Sequence, residues 1–394
     1  MTAFLLAPIY IVVNIYIFKR ITDWLKVGFP GLGTRKGMVT SAAVYSFFAF
    51  SFLIAFLMPQ GELCRVMKQI GNYWLGVLLY MIFVIVIADI IRFVLLHIVH
   101  VDKSKLCNPR MRRIAGRICA ALILVVSVSG VVNAGIVRTT PYEITINKEA
   151  GNLDSLKVVL VADFHLGYNI GVRQMEKMTE EINKQDADLV IIAGDIFDNE
   201  WEAVEKPEEI AKILREIKSK YGVYACYGNH DIEEPILAGF TFGSDKNKSS
   251  HQEMDKFLAT ANIHLLRDEG VLIDDSFYLY GRPDALRSGG NRLSPSAITR
   301  EMDKTKPIVV IDHQPRELAE LAAAGVDVDL CGHTHDGQMF PGNLLTDLIW
   351  KNSYGHLQVG EMHNIVTSGV GLFGPNMRVG TKAEICPITI SFSK

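Results

Sequence analysis

Three long apolar runs restrict what this chain can fold into more than any other feature. They extend from about Val39 to Met58, Tyr73 to Val99 and Ile114 to Val137. Each reaches the roughly 20 residues that cross a bilayer as a helix. In hydrocarbon the backbone must satisfy its own polar groups, so such runs fold as helices. A fourth run, Phe4 to Phe18, is shorter and contains Pro8 and Asn14. The pattern predicts a transmembrane region of about four helices over residues 1–138 and a soluble domain over residues 139–394. Lys19 and Arg20 follow the first run and no basic residue precedes it, the reverse of a secretory signal peptide.

Basic residues set the expected orientation. The first loop carries Lys19, Arg20, Lys26, Arg35 and Lys36, and the third carries Lys103, Lys105, Arg110, Arg112, Arg113 and Arg117. The second has only Arg65 and Lys68. With four spans, loops one and three are cytoplasmic. The soluble domain then faces the extracytoplasmic side of the cell membrane, close to the bilayer because its linker is short. Asp89 and Arg92 lie one helical turn apart inside the third run. They are expected to form an ion pair near the interface, with Arg92 reaching toward water.

The net charge of -3 and a pI near 6.4 leave no global attraction for nucleic acid, so no nucleic-acid partner is expected. The six cysteines form no Cys-x-x-Cys pair. That argues against a zinc ribbon or a dithiol motif. Cys226 and Cys331 fall in expected core strands and read as small buried hydrophobes.

Beyond the membrane third, strand and helix patterns alternate. Tyr142–Ile146 alternates like an edge strand. Val158-Val159-Leu160-Val161-Ala162 is a buried strand that stops at Asp163-Phe164-His165. Helical spacing follows over 172–184, 202–218, 252–261 and 316–324. Strands are expected over 188–193, 222–227, 264–273, 277–282, 307–311, 328–331, 363–369 and 384–392. Such alternation predicts an α/β fold. The late hairpin-like strands add a second sheet, giving two mixed β-sheets sandwiched with flanking helices behind an N-terminal transmembrane bundle. The polar stretch Gly243–Ser250 reads as a loop.

Most strand ends carry a block of chemically able residues. Asp163-x-His165 alone could be a turn. Gly194-Asp195-Ile196-Phe197-Asp198 alone could be a helix cap. Gly228-Asn229-His230-Asp231 alone could be another turn. His313-Gln314-Pro315 is ambiguous, whereas Gly332-His333-Thr334-His335 places two imidazoles in a glycine-flanked turn that packing does not require. Together the donors suit a pair of cations. Two cations roughly 3.5–4 Å apart repel, so a shared anionic ligand is needed. Asp195 is the natural bridge.

From about Leu156 onward these blocks resemble the calcineurin-like metallophosphoesterases. The stretch Gly-His-Thr-His-Asp-Gly-Gln with the preceding spans resembles the transmembrane metallophosphoesterase subgroup. The resemblance implies that Asp163, His165 and His335 hold a first metal and Asn229, His313 and His333 a second, with Asp195 shared. It implies that His230 sits at the phosphoryl group as proton donor or charge stabiliser, oriented by Asp198. A hydroxide between the metals would be the nucleophile in an in-line attack on phosphorus. Two divalent ions are expected, with manganese, iron and zinc equally suited to mixed nitrogen and oxygen donors. The subgroup usually has Gly where this chain has Asp336, so a carboxylate is added at the rim of the site.

The expected function is that of a membrane-anchored, metal-dependent phosphoric ester hydrolase. It would cleave phosphodiester or pyrophosphate bonds, and the setting beside a bilayer favours amphiphilic, lipid-linked or cell-envelope substrates. The alternative is a metal-binding membrane sensor or scaffold without turnover. Tyr168, Arg282 and Arg287 are candidate rim groups, with a solvated surface position as the plainer reading. His251, His264, His356 and His363 have no motif context and read as structural.

Overall fold

The apolar third of the chain forms long helices: Thr2–Gly28, Arg35–Leu57, Glu62–His97 and Pro109–Ala134. A computed structural model describes residues 2–233, 236–237, 240–241, 252–287 and 292–393. The expected loop Gly243–Ser250 and His251 lie outside the described residues. Among the described residues the last three of these helices are long and apolar enough to cross a membrane. The first apolar run lies within Thr2–Gly28. Among the described residues, 2–132, 236–237, 240–241 and 374–377 form one compact unit, and the others form a second.

Polar side chains in the first unit pair between helices, as apolar surroundings require. Asn14, which interrupts the first apolar run, is buried and accepts from the Tyr45 hydroxyl at 2.9 Å. Asp89 corrects an expectation. Its partner is Arg20 on the first helix, not Arg92, and the Tyr16 hydroxyl donates to its second oxygen at 2.5 Å. Arg92 lies instead 3.5 Å from Cys107 Sγ. Residues three apart share a helix face, but Asp89 finds its counter-ion on a neighbouring helix.

The second unit contains two mixed sheets. One runs Val137–Thr139, Ala383–Phe392, Ser155–Val161, Leu189–Ala193, Val223–Cys226, Ile263–Leu265, with Tyr142–Ile146 also paired to Ala383–Phe392. The other runs Gly355–Val359, Met362–Val366, Val328–Cys331, Ile308–Ile311, Phe277–Gly281, Glu269–Ile273. Period-two alternation assigns each side chain a layer. Leu156, Val158, Leu160 and Ala162 join Leu279, Val309, Ile311 and Leu330 between the sheets. Val159 and Val161 point the other way, onto Met175, Met178, Ile210 and Leu214 of the covering helices. Tyr280, Ile308 and Val310 pack under Leu318 and Leu321 on the far side.

Two expected elements change. The run 264–273 is not one strand. Ile263–Leu265 joins the first sheet and Glu269–Ile273 the second, with Asp268 at φ 56° in the crossing. The expected helix over 202–218 shortens to Pro207–Arg215, because Pro207 opens it with fixed φ. Hairpin strand Gly355–Val359 and helix Gly342–Ile349 had no expectation attached.

The strands that matter for chemistry are parallel within each sheet. Ser155–Val161, Leu189–Ala193 and Val223–Cys226 run together, as do Ile308–Ile311 and Val328–Cys331. Their carboxyl ends open where ligands collect in such sheets.

Candidate metal centre

Each donor block begins where a parallel strand ends, and the backbone turns there abruptly. Asp163, His165, Asp195, His333 and His335 all have positive φ, at 56°, 48°, 50°, 74° and 52°. Left-handed backbone costs a non-glycine residue about 1–2 kcal/mol, so surrounding bonds must impose it. They do. Asp163 N donates to Gly194 O at 2.9 Å, His165 N to Asp195 O at 3.0 Å and Gly332 N to His313 O at 3.0 Å. Asp163 also accepts from His333 N at 3.0 Å, and Asp195 Oδ1 from His230 N at 2.8 Å. The five loops therefore hold one another.

Two trios of donors result. Asp163, His165 and His335 form one, and Asp195, His313 and His333 the other, with ligand atoms of each trio within 4.8 Å of one another. In the first, His165 Nε2 faces His335 Nε2 at 3.0 Å, and His335 Nε2 lies 3.5 Å from Asp163 Oδ1. In the second, His313 Nε2 faces His333 Nδ1 at 3.1 Å and Asn229 Oδ1 at 3.2 Å. Asp195 Oδ2 lies between the trios, 3.1 Å from His313 Nε2 and 3.7 Å from His165 Nε2. His165, Asp198 and His230 make a third, overlapping group.

The donor set fits cations. His313 Nδ1 lies 2.8 Å from Ala193 O. A carbonyl only accepts, so Nδ1 carries the proton and Nε2 presents a lone pair to the centre. Imidazole nitrogens facing one another at such distances must share either a proton or a cation. His165 Nδ1 and Asp198 Oδ1 are buried without a hydrogen-bond partner and lie 3.4 Å apart.

Burial dominates the electrostatics, since charge is costly away from water. It pushes Asp163 up to about 6. Burial and the facing His313 push His333 down to about 3. Burial, then His165, hold His335 well below the usual imidazole range. Burial also opposes charge on Asp195, but His313 and His230 outweigh it and keep that carboxyl well below its ordinary value.

Asp198 was expected to orient His230. The structure places it 4.0 Å from His230 Nδ1, farther than from His165. The hydrogen-bond partner of His230 Nδ1 is Asn199 Oδ1. Asn199 Nδ2 donates to Ile232 O at 2.9 Å. That bond fixes the amide so that its oxygen faces His230, which keeps a proton on Nδ1 and leaves Nε2 for exchange with a ligand.

Further groups position the donor loops. Asp231 accepts from Gly228 N at 2.7 Å and Phe197 N at 2.8 Å, tying two donor loops together. Arg378 is fully buried and donates to Ser368 O at 2.7 Å and Gly371 O at 2.8 Å. Gly371 N in turn donates to Asp163 O at 2.8 Å. Arg282 is neither rim nor solvated surface. It is fully buried, pairs with Asp312 at 2.9 Å and Glu317 at 2.8 Å, and so supports the strand end that carries His313. The Tyr168 hydroxyl donates to Glu200 at 2.8 Å, and Arg287 N to Asp284 at 3.0 Å. Asp336 is half-buried in the His335 turn, where burial and then Asp347 push it up to about 6. His264 stacks on Tyr224 and His356 pairs with His363 at 2.9 Å, away from the centre's bonds. Cys226 and Cys331 are buried, and burial raises both thiols well above their usual range.

Gly228 shows how tightly the loops meet. A Cβ there would lie 2.2 Å from Asp195 Oδ1 and 2.6 Å from Asp195 N. Gly228→Ala is therefore expected to displace Asp195 and lower metal affinity by at least about tenfold, on the scale of lost outer-shell support. Isothermal titration with Mn²⁺ reads this directly, and unchanged affinity would contradict the close packing.

Residues 156–337 match the family model described as calcineurin-like phosphoesterase. An uncharacterised metallophosphoesterase of Campylobacter jejuni is 26% identical over all of this chain and 98% of its own length. A Danio rerio protein named transmembrane protein with metallophosphoesterase domain is 29% identical over 68% of this chain and 62% of that protein. An uncharacterised metallophosphoesterase of Helicobacter pylori is 30% identical over 58% of each. The nine site residues, Asp163 to His335, all fall inside the matched segment. Residues 156–337 therefore form a calcineurin-like phosphoesterase domain, and bilayer-length apolar helices lie ahead of it.

Proposed function

We propose that this protein is a membrane-anchored hydrolase of phosphodiester or pyrophosphate bonds that works with two divalent cations. The observation that carries the reading is Asp195 Oδ2, which lies within 3.7 Å of an imidazole from each donor trio. A shared anionic ligand is what two adjacent cations require. Asp163, His165 and His335 would hold one, Asn229, His313 and His333 the other. Manganese, iron or zinc would each suit these donors. Bound there, the cations would supply Lewis-acid stabilisation of phosphoryl charge and a water acidified for attack.

The chain's own groups do the rest. Asn229 contributes a neutral oxygen, which keeps the site from repelling an anionic substrate. His230, with its Nδ1 proton committed to Asn199, exchanges protons through Nε2 and stabilises charge at the phosphoryl group. Phe373 lies over His230 and His165 with ring centroids 4.9 and 5.7 Å away, and shields them from bulk water. Asp198 Oδ1, 3.4 Å from His165 Nδ1, favours the tautomer with its proton on Nδ1 and so leaves Nε2 as the metal donor.

The last apolar helix ends at Ala134 and the first strand begins at Val137. So short a tether favours a substrate presented by the membrane, such as a lipid-linked or cell-envelope phosphoester. Bis-p-nitrophenyl phosphate tests the chemistry without that assumption. The purified full chain loaded with Mn²⁺ is expected to turn it over. Absence of turnover in metal-loaded, folded protein would refute the reading.

Loop charge favours the extracytoplasmic side for the domain. A protease added to intact cells is expected to cut within the soluble domain. Complete protection, while a known external domain is cut, would reverse the orientation.

A further inference from the structure

Among the described residues the helix Gly342–Ile349 has an apolar face with nothing packed on it. Leu344, Leu345, Leu348 and Ile349 are 51%, 61%, 83% and 73% exposed, and the preceding Phe340 is 50% exposed. Positions 344, 345, 348 and 349 share one face of a helix. No residue of this helix is buried. Folded domains seldom leave so many large apolar side chains together in water unless the patch is used.

The patch is built onto the metal centre. Four residues separate the His335–Gly337 turn from the helix, and Gly337 meets Asn343 so closely that a Cβ would lie 2.1 Å from its nitrogen. At the other end Trp350 sets its ring against His333, with centroids 5.2 Å apart. Arg316 lies over the same ring at 4.8 Å. Asp347 accepts from Ser353 Oγ, which fixes the helix end from its polar side. The apolar face is thus held rigidly beside two donor residues.

We infer that Gly342–Ile349 is an interfacial helix that docks into the surface of the lipid bilayer in which the protein's own apolar helices reside. Three features favour lipid over another occupant. The chain supplies bilayer-length helices, and only residues 135 and 136 separate the last of them from the domain's first strand, so the domain is tethered to any bilayer those helices occupy. The segment reads Leu-Leu-Thr-Asp-Leu-Ile-Trp-Lys from Leu344 to Lys351, an apolar face closed by an aromatic and a basic residue, the pairing found at membrane interfaces. Docking by this face would also bring the donor turn at His333 and His335 to the depth of lipid phosphates. The role of that turn rests on the proposed hydrolase function; the docking itself does not.

The test uses the full-length protein in vesicles of phosphatidylethanolamine and phosphatidylglycerol. A polarity-sensitive fluorescent amino acid is placed at position 348 by stop-codon suppression. Blue-shifted emission, quenched by lipids brominated near the headgroup, is expected. Water-like emission would overturn the docking. Blue-shifted emission that brominated lipids leave unquenched would overturn it too, because a protein, such as a second copy of this chain, would then cover the face. In parallel, Leu345→Glu with Leu348→Glu is expected to lower turnover of an acylated phosphodiester in those vesicles at least about tenfold and to leave bis-p-nitrophenyl phosphate turnover unchanged. Equal loss on both substrates would mean the helix only supports the fold of the site, and would overturn the surface role. If the wild type turns over neither substrate, the hydrolase reading fails while the fluorescence still decides the docking.

Discussion

Asp195→Asn is expected to abolish phosphodiester turnover while leaving the fold intact. The substitution keeps size and shape, and the amide oxygen can still accept from His230 N, which Asp195 Oδ1 does at 2.8 Å. What it removes is the negative charge facing both trios. Losing outer-shell support of a metal ligand costs roughly 10–100-fold, so losing the shared ligand itself should cost on the order of a thousandfold or more. Steady-state turnover of bis-p-nitrophenyl phosphate at saturating Mn²⁺ measures it, with circular dichroism confirming the fold. Activity near that of the wild type would mean that Asp195 is not the joint between two cations.

Removing metal with a chelator should destabilise the soluble domain as well as silence it. Asp163 is fully buried, and burial moves its carboxyl from 3.8 to about 6. An acid whose folded value is raised loses stability as pH climbs from its unfolded value through its folded one. For Asp163 that window lies between about pH 4 and pH 6, so the cost is fully present at pH 7. A bound cation removes that cost. Chelation at pH 7 should therefore lower Tm by several degrees. The difference should shrink at pH 5, where Asp163 is largely protonated without metal. Scanning calorimetry with and without chelator at the two pH values checks both. A gap that is absent, or larger at pH 5, would contradict the electrostatic reading.

Much of the centre was legible because its chemistry is local in sequence. A buried strand running into Asp163 and His165, and another into His333 and His335, puts donors where parallel strands open. What was not legible depends on contacts between distant segments. Nothing in the sequence around Arg378 says that its guanidinium will hold the loop beneath Asp163. Arg282 looked like a surface residue because its counter-ions, Asp312 and Glu317, lie thirty or more positions away. Asp198 and Asn199 are neighbours on the chain, and only the bond from Asn199 to Ile232 shows which of them fixes His230. The stretch 264–273 misled for a similar reason. Periodicity identifies strand, but not the point where a strand leaves one sheet for another, and here that point is a single left-handed Asp268. Asp89 pairs with Arg20 across helices, a choice that loop charges and spacing along one helix do not encode.

The most direct measurement is anomalous diffraction from crystals of the full chain grown with Mn²⁺. Two peaks are expected, roughly 3.5–4 Å apart, with one Asp195 oxygen in contact with both. Asp163, His165 and His335 should surround one, and Asn229, His313 and His333 the other. A single peak, or two that share no Asp195 oxygen, would contradict the dinuclear centre.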